Sequence, residues 1–309
     1  MQSVLRIFMT MSVLWAACAC AQLPLNGWTR ALPDSVQARL MKWSYEDHSG
    51  IQPMAYGLET EMATLIDSSA SVGKYRNDLN INPLFSGTLG FSSFDGGNFL
   101  FAGSAGAVAR WTKADKLEAM LGGSFHMYNG PEYMLSLADS LRIVPGTGRL
   151  YNSAERSLPY ATMLHGHVGY RAGKYFHFQL GNGKHFWGDG YRSLILSDNT
   201  APYPYLRVTT KFWHIKYTNL WGMLSDITGG QLFGDARRKF VALHSLSWNA
   251  TKWLNFSAFE MVVWQDRDTL SQRALDLNYL NPVIFYRPVE FAQGSADNVL
   301  LGGGFRAKV

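Results

Sequence analysis

Residues 181–205, GNGKHFWGDGYRSLILSDNTAPYPY, concentrate side chains that can do chemistry. Indole, phenol, imidazole, guanidinium and carboxylate groups together can bind a polar ligand through ring contacts and paired hydrogen bonds. A hydrolytic triad of Ser193, His185 and Asp189 is the alternative. A nucleophile needs a base within hydrogen-bond reach, and no nucleophile-elbow motif is present. The sequence favours a non-catalytic binding site, with the candidate residues His185, Trp187, Asp189, Tyr191, Arg192 and Asp198.

This stretch is predicted to be an elaborate loop, because glycine, asparagine, aspartate and proline punctuate it repeatedly. Loops on rigid scaffolds commonly carry function. A purely structural loop would use the same residues, with Asp189 paired to Arg192 and Trp187 packing against the scaffold. Its glycines permit tight turns with or without a ligand. The sequence leaves both interpretations open.

A second polar block occupies residues 277–305, LNYLNPVIFYRPVEFAQGSADNVLLGGGF. Pro282 and Pro288 prevent a regular helix or a central strand there, so the block is predicted to be a folded loop. Arg287 and Glu290 are further candidates for binding hydroxyl groups. A salt bridge between the two is the structural alternative.

Metal and cofactor chemistry finds little support in the sequence. His165 and His167 share one strand face, which is compatible with a metal, but the spacing suggests no third ligand. Gly181 and Gly183 lack the helix pattern that follows a phosphate-binding loop. We therefore expect no metal and no cofactor, and a polar pair is the favoured role of the two histidines.

Alternation of apolar and polar residues predicts antiparallel strands on both sides of the loop. In residues 85–92 the odd positions are Phe, Gly, Leu and Phe, opposite Ser, Thr, Gly and Ser, which is the period of a strand. A break at Phe212-Trp213 suggests a bulge. Similar segments are 117–128, 164–171, 175–180 and 299–309, with weaker ones at 99–111, 206–217, 240–248 and 253–264.

Two architectures fit this period, a secreted β-sandwich and a transmembrane β-barrel. Strand length, aromatic strand ends and the predicted leader favour the barrel. Short turns and long loops alternate as in bacterial barrels, except between residues 217 and 264. Either a strand within residues 218–233 is missing from this assignment, or one long segment folds inward.

The N-terminus predicts export. An apolar stretch after Arg6, followed by Ala19-Cys20-Ala21, indicates a signal peptide over residues 1–21 with cleavage before Gln22. A lipoprotein signal at Cys20 is the alternative, but its lipobox is poor. No segment reaches the roughly 20 apolar residues of a transmembrane helix. Residues 22–80 form a second region in which 34–47 predict a helix, either a periplasmic plug or a tether.

Composition supports an amphipathic membrane protein over a nucleic-acid binder. The chain has 30 glycines, 18 Phe, 15 Tyr and 10 Trp, and only 17% of its residues are charged. Without Arg6 it carries 27 basic and 23 acidic residues, a net charge of +4. This charge is too dispersed for nucleic acid, although it modestly favours anionic partners such as acidic polysaccharide or lipopolysaccharide phosphates.

Residues 81–309 are thus predicted to be a partial barrel. The chain ends inside a predicted strand, GGGFRAKV. An open edge in lipid would leave backbone groups unsatisfied. We therefore expect a C-terminal truncation.

Two long blocks carry a family resemblance. The run GNGKHFWGDGYRSLILSDNTAPYPYLRVTTKFWHIKYTNLW and the block of residues 277–305 resemble the capsule assembly Wzi family of outer-membrane proteins. The resemblance is closest to a Bacteroidetes branch labelled gliding motility protein RemB. It covers residues 84–309, and the N-terminal region matches only loosely.

The resemblance implies an 18-stranded barrel in the outer membrane of a Gram-negative cell, with a small periplasmic helical element and inward-folding loops. It also implies a lectin-like, non-catalytic role in organising capsular polysaccharide. Arg192 would then suit an acidic sugar, since its fork matches a carboxylate. A porin-type channel, and an accessory of gliding or secretion machinery that binds proteins, are the alternatives.

Overall fold

The computed structural model describes residues 78–92, 98–114, 116–144, 146–151, 159–188, 193–225, 238–266, 277–281 and 297–307. In this part of the chain, antiparallel β-sheet predominates and one short α-helix, α1 (Glu132–Leu141), is present. The prediction of an antiparallel all-β fold is confirmed to this extent. The predicted signal peptide and the helix at 34–47 lie outside the described residues. No helix within the described ranges has the length and apolarity to cross a membrane.

Ten strands form one sheet, and each of them pairs with the sheet strands that come before and after it in the sequence. Two short strands, β4 (Ile143–Val144) and β5 (Gly148–Arg149), form a separate hairpin. The sheet strands, in spatial order, are β1 (Asp78–Ser92), β2 (Asn98–Lys113), β3 (Leu117–Asn129), β6 (Tyr160–Ala172), β7 (Phe176–Gly183), β8 (Tyr203–Phe212), β9 (Ile215–Ser225), β10 (Arg238–Asn249), β11 (Leu254–Gln265) and β12 (Asn298–Ala307).

The predicted bulge at Phe212-Trp213 is wrong, because the chain turns there. Phe212 pairs with Ile215, so Trp213 and His214 form a two-residue hairpin turn between β8 and β9. Trp213 has a φ of 53°, a left-handed conformation that two-residue hairpin turns require. Strand β9 is the strand missing from the sequence assignment. With it in place, the connections from β2 onward alternate, with short turns at one edge of the sheet and long connections at the other.

The two faces of the sheet have opposite chemistry. On β6, Leu164 and Val168 are 64% and 59% exposed, whereas the alternating His165 and His167 are 2% and 6% exposed. Residues that are paired across neighbouring strands lie on the same face, so the alternation continues from β2 to β8. We call the side of Leu164 and Val168 the apolar face and the side of His165 and His167 the polar face. A water-soluble sheet buries its apolar side, so this arrangement is inverted.

Exposed aromatic side chains mark the edge of short turns. They lie on the apolar face near the turns or within the turns themselves. Aromatic girdles occupy this position in membrane barrels, where the rings sit at the level of lipid headgroups. The exposed rings are Trp111, Tyr170, Tyr175, Phe176, Phe212, Trp213, Trp248, Trp253, Phe256 and Phe305.

At the opposite edge, hydrophobic clusters cover both faces of β9–β11. On the polar face, side chains from the β7–β8 connection pack against Leu220, Val241 and Leu243. On the apolar face, Tyr279 packs against Trp264 with ring centroids 4.7 Å apart. Its carbonyl oxygen accepts a hydrogen bond of 2.8 Å from Trp221 Nε1. The long connections therefore fold back over the sheet.

Candidate binding site

The structure describes three of the predicted site residues in the β7–β8 connection, His185, Trp187 and Asp198, and all three are buried. Asp189, Tyr191 and Arg192 lie outside the described residues, as do Arg287 and Glu290 of the second block. The expected pairings of Asp189 with Arg192 and of Arg287 with Glu290 therefore remain predictions.

Trp187 holds the connection against the polar face. Its backbone nitrogen donates a 2.8 Å hydrogen bond to the carbonyl oxygen of Leu196, closing a β-bridge across the loop. Its side chain is 3% exposed and belongs to a cluster with Tyr203, Tyr205 and Leu220. Protein atoms cover the indole, so this arrangement matches the structural interpretation of Trp187.

Two residues of the alternative hydrolytic triad, Ser193 and His185, have other hydrogen-bond partners. Ser193 Oγ donates to the carbonyl oxygen of Trp187 and accepts from the backbone nitrogen of Ile195 at 3.0 Å. His185 Nδ1 lies 3.1 Å from the hydroxyl of Tyr203, and the His185 ring meets that of Tyr205 edge-on at 4.2 Å. Ser193 thus organises a turn, and His185 anchors the loop to β8.

Lys184 begins the connection and is 2% exposed. Its ammonium donates a hydrogen bond to the carbonyl oxygen of Gly146, in the turn between β4 and β5. Burial lowers the pKa of Lys184 to about 8, and the charge of Asp198 opposes part of this shift. The connection after β7 and the connection after β3 thus meet at a buried cation.

A second polar cluster lies on the polar face nearer the short turns. Glu118 Oε1 is 3.1 Å from His177 Nε2 and 3.6 Å from His167 Nε2, and Gln179 Nε2 approaches the same oxygen at 3.5 Å. Gly169 lies between Glu118 and Gln179 in the register, and a Cβ there would collide with the Glu118 side chain. Glycine at this position lets the carboxylate reach across β6 to β7.

The sequence-based prediction of site residues did not include this cluster around the Glu118 carboxylate, which we call the Glu118 cluster. Glu118, His167, His177 and Gln179 each occupy a predicted polar position, but they meet only through the register of three strands. Periodicity gives the face of a residue and does not give its cross-strand neighbours. Among the described residues, no group of three His, Cys, Asp or Glu side chains is arranged to hold a metal ion.

Comparison of the chain with protein-family models, with curated proteins and with solved structures gives no match.

Proposed function

We propose that this protein is an outer-membrane β-barrel that binds and organises surface or capsular polysaccharide without catalysing a reaction. The observation that carries the proposal is the inverted sheet, in which large apolar side chains are exposed while polar and charged side chains are covered. Exposed apolar surface of this extent is unfavourable in water and favourable against lipid tails.

Two further features support a membrane position. The exposed rings at the short-turn edge match an aromatic girdle, and short turns alternate with long connections from β2 to β12. In bacterial barrels the short turns face the periplasm and the long loops face outside. The connection after β7 would then lie on the extracellular side, with its buried part closing the lumen.

The polysaccharide assignment is supported by the chemistry of the polar face and by the resemblance to capsule assembly proteins. Hydroxyl-rich ligands are bound by amide, hydroxyl, imidazole and guanidinium groups in concert with aromatic rings. The polar face offers such groups on adjacent strands, among them Gln179, Arg207, Thr209, Thr218 and Ser245. The Ser193 and His185 hydrogen bonds described above argue against a hydrolytic role.

Sedimentation of purified surface polysaccharide with proteoliposomes of the full-length protein tests the proposal. We expect the polysaccharide to sediment with protein-containing vesicles and not with empty ones. An Arg192→Ala variant should bind less polysaccharide, because the guanidinium proposed to contact sugar oxygens is lost. The control is Leu194→Ala, which should bind normally because the Leu194 side chain is 98% exposed. Absence of binding by the unaltered protein would contradict the proposal.

Conductance in planar bilayers separates this function from that of a porin. Because the connection after β7 packs on the polar face, we expect little current through the lumen. A large, steady conductance would favour the channel. Capture of proteins alone in crosslinking experiments would instead favour an accessory role in surface machinery.

A further inference from the structure

The apolar face carries an open groove that crosses β1, β2, β3, β6 and β7. Its volume is about 590 Å³ and its lining is almost entirely apolar. Clefts that bind small molecules have volumes of roughly 300–1,000 Å³. The short side chains of Ala109 and Ala119, and Gly166, leave this space between longer neighbours. Those neighbours are Leu79, Trp111, Leu121, Leu164, Val168 and Leu180.

One end of the groove lies close to the short turn between β2 and β3. Within the groove, Trp111 is opposite Ala119 in the strand register. Two residues further along, Lys113 is opposite Leu117, and Leu117 is opposite Tyr170 on β6. Positions two apart in a strand share a face, so Lys113 and Tyr170 lie on the apolar face in the row next to the groove. Lys113 is exposed there.

A second lysine closes the same turn. The backbone nitrogen of Lys116 donates a 3.1 Å hydrogen bond to the carbonyl oxygen of Lys113. The carbonyl oxygen of Lys116 in turn accepts a 2.7 Å hydrogen bond from the backbone nitrogen of Arg171. This bond fixes the β2–β3 turn beside the end of β6, from which the next short turn, with Lys174, continues.

The charge at this end of the groove is positive. Residues 113–116 and 171–174 contain four basic residues and one acidic residue. Within the part of the chain that the structure describes, no carboxylate forms an ion pair with Lys113 or Lys116. Glu118 follows the turn closely in sequence, but its carboxylate contacts histidines on the polar face. The two ammonium groups can therefore bind an anion from outside the protein.

An acidic phospholipid matches both parts of this surface. An acyl chain is complementary to the apolar groove, and a lipid phosphate accepts hydrogen bonds from ammonium groups. Lysines near a membrane surface attract anionic lipids, and rings such as Trp111 and Tyr170 occupy the headgroup level. A second copy of the chain in the same membrane would bring the same lysines to the same level. Repulsion between like charges would oppose that contact.

We propose that the groove, together with Lys113 and Lys116, binds an acidic phospholipid of the periplasmic leaflet. One acyl chain lies along Ala109, Ala119 and Gly166, and the phosphate lies at the two lysines. The inference rests on the membrane position in the proposed function. It goes beyond that function because it assigns a lipid ligand that has no part in binding polysaccharide.

Native mass spectrometry of the full-length protein in a neutral detergent tests the site. The probes are dioleoyl phosphatidylglycerol, dioleoyl phosphatidylcholine, which has the same chains and no net charge, and glycerol phosphate, which has no chains. We expect a one-to-one adduct with phosphatidylglycerol at a concentration about fivefold lower than with phosphatidylcholine, and none with glycerol phosphate. Equal binding of the two lipids, or of glycerol phosphate and phosphatidylglycerol, would contradict the proposal.

Two pairs of variants separate the headgroup contact from the groove. Lys116→Gln should weaken the phosphatidylglycerol adduct about fivefold. Lys252→Gln, which removes an exposed lysine from the short turn between β10 and β11, should leave the adduct unchanged. Ala119→Leu fills the groove and should weaken the adducts of both lipids. Ala107→Leu adds the same bulk to the apolar face outside the groove and should leave them unchanged.

Equal effects within either pair of variants would overturn the site. Lys116 lies in an exposed turn, so its replacement tests the headgroup contact even if Ala119→Leu fails to fold. The same spectra report a second copy of the chain as the occupant. A dimer that Ala119→Leu abolishes, without any lipid adduct, would assign the groove to that copy and contradict the lipid site.

This experiment and the sedimentation assay fail independently. Normal sedimentation of polysaccharide, without a preference for phosphatidylglycerol, overturns the lipid site and leaves the proposed function standing. A lipid adduct that depends on Lys116 and Ala119, without sedimentation of any polysaccharide, upholds the lipid site and contradicts the proposed function.

Discussion

At the scale of residues, the same side chain can look functional in the sequence and structural in the fold. Trp187 has the ring expected of a sugar platform, but it is 3% exposed and packs among Tyr203, Tyr205 and Leu220. Glu118 shows the reverse. In the sequence it is an ordinary polar position of a predicted strand, but in the fold its carboxylate lies 3.1 Å from His177 Nε2 and 3.6 Å from His167 Nε2.

Replacement of Trp187 by Ala should therefore act on stability. We expect the free energy of unfolding in urea to fall by about 3–5 kcal/mol, because a large ring leaves a packed cluster. Leu194→Ala in the same connection is the control, since Leu194 is 98% exposed and its loss should cost less than about 0.5 kcal/mol. Equal effects of the two substitutions would contradict the packing described for Trp187.

At the scale of elements, the connection after β7 should dock more firmly at high pH. The pKa of Lys184 is about 8 when the lysine is buried and close to its ordinary value when the loop is released. The cost of burying the ammonium is present below pH 8 and is relieved as pH rises toward about 10.5. Its full size is on the order of 3 kcal/mol.

Hydrogen exchange of the connection measures this effect. Protection of residues 184–188 and 193–200 should increase between pH 8 and 10, after correction for the intrinsic exchange rate. In Lys184→Met the increase should disappear, because the titrating group is gone. A pH dependence that persists unchanged in this variant would assign the effect to another group.

Periodicity predicted most strands because each face of the sheet meets a uniform environment. The alternation at 164–171 appears directly as exposed and covered residues in β6. The turn at Trp213-His214 was missed because neither residue is one that favours turns, and an aromatic pair looks like a continuing strand. The packing of Tyr279 against Trp264 depends on a long-range fold-back that local patterns do not encode.

The candidate site was harder to predict than the strands for a similar reason. The β7–β8 connection was correctly expected to be irregular, and its aromatic and charged residues are easy to see in the sequence. The Glu118 cluster joins residues from three strands, β3, β6 and β7. Its members become neighbours only when the register is known, and Gly169 makes room for the Glu118 side chain.

At the scale of the whole molecule, the central claim is that the apolar face contacts lipid. The described strands show an apolar and a polar face along their lengths, with exposed rings near one edge. A membrane barrel uses this arrangement because lipid solvates the outer face and the lumen holds the polar groups. The two cysteines of the given sequence, Cys18 and Cys20, lie in the predicted signal peptide, so an introduced cysteine would be the sole thiol of residues 22–309.

Lipid-quenching of a fluorophore on single cysteines in β1 and β2 tests this claim most directly. Ala105 and Ala107 lie exposed on the apolar face, while Ser86 and Ser104 lie on the polar face with hydroxyls 2.6 Å apart. In vesicles containing acyl-chain nitroxides, we expect strong quenching at Ala105→Cys and Ala107→Cys and weak quenching at Ser86→Cys and Ser104→Cys. Equal quenching at all four positions, or quenching of the alanine sites only by a water-soluble agent, would contradict the account.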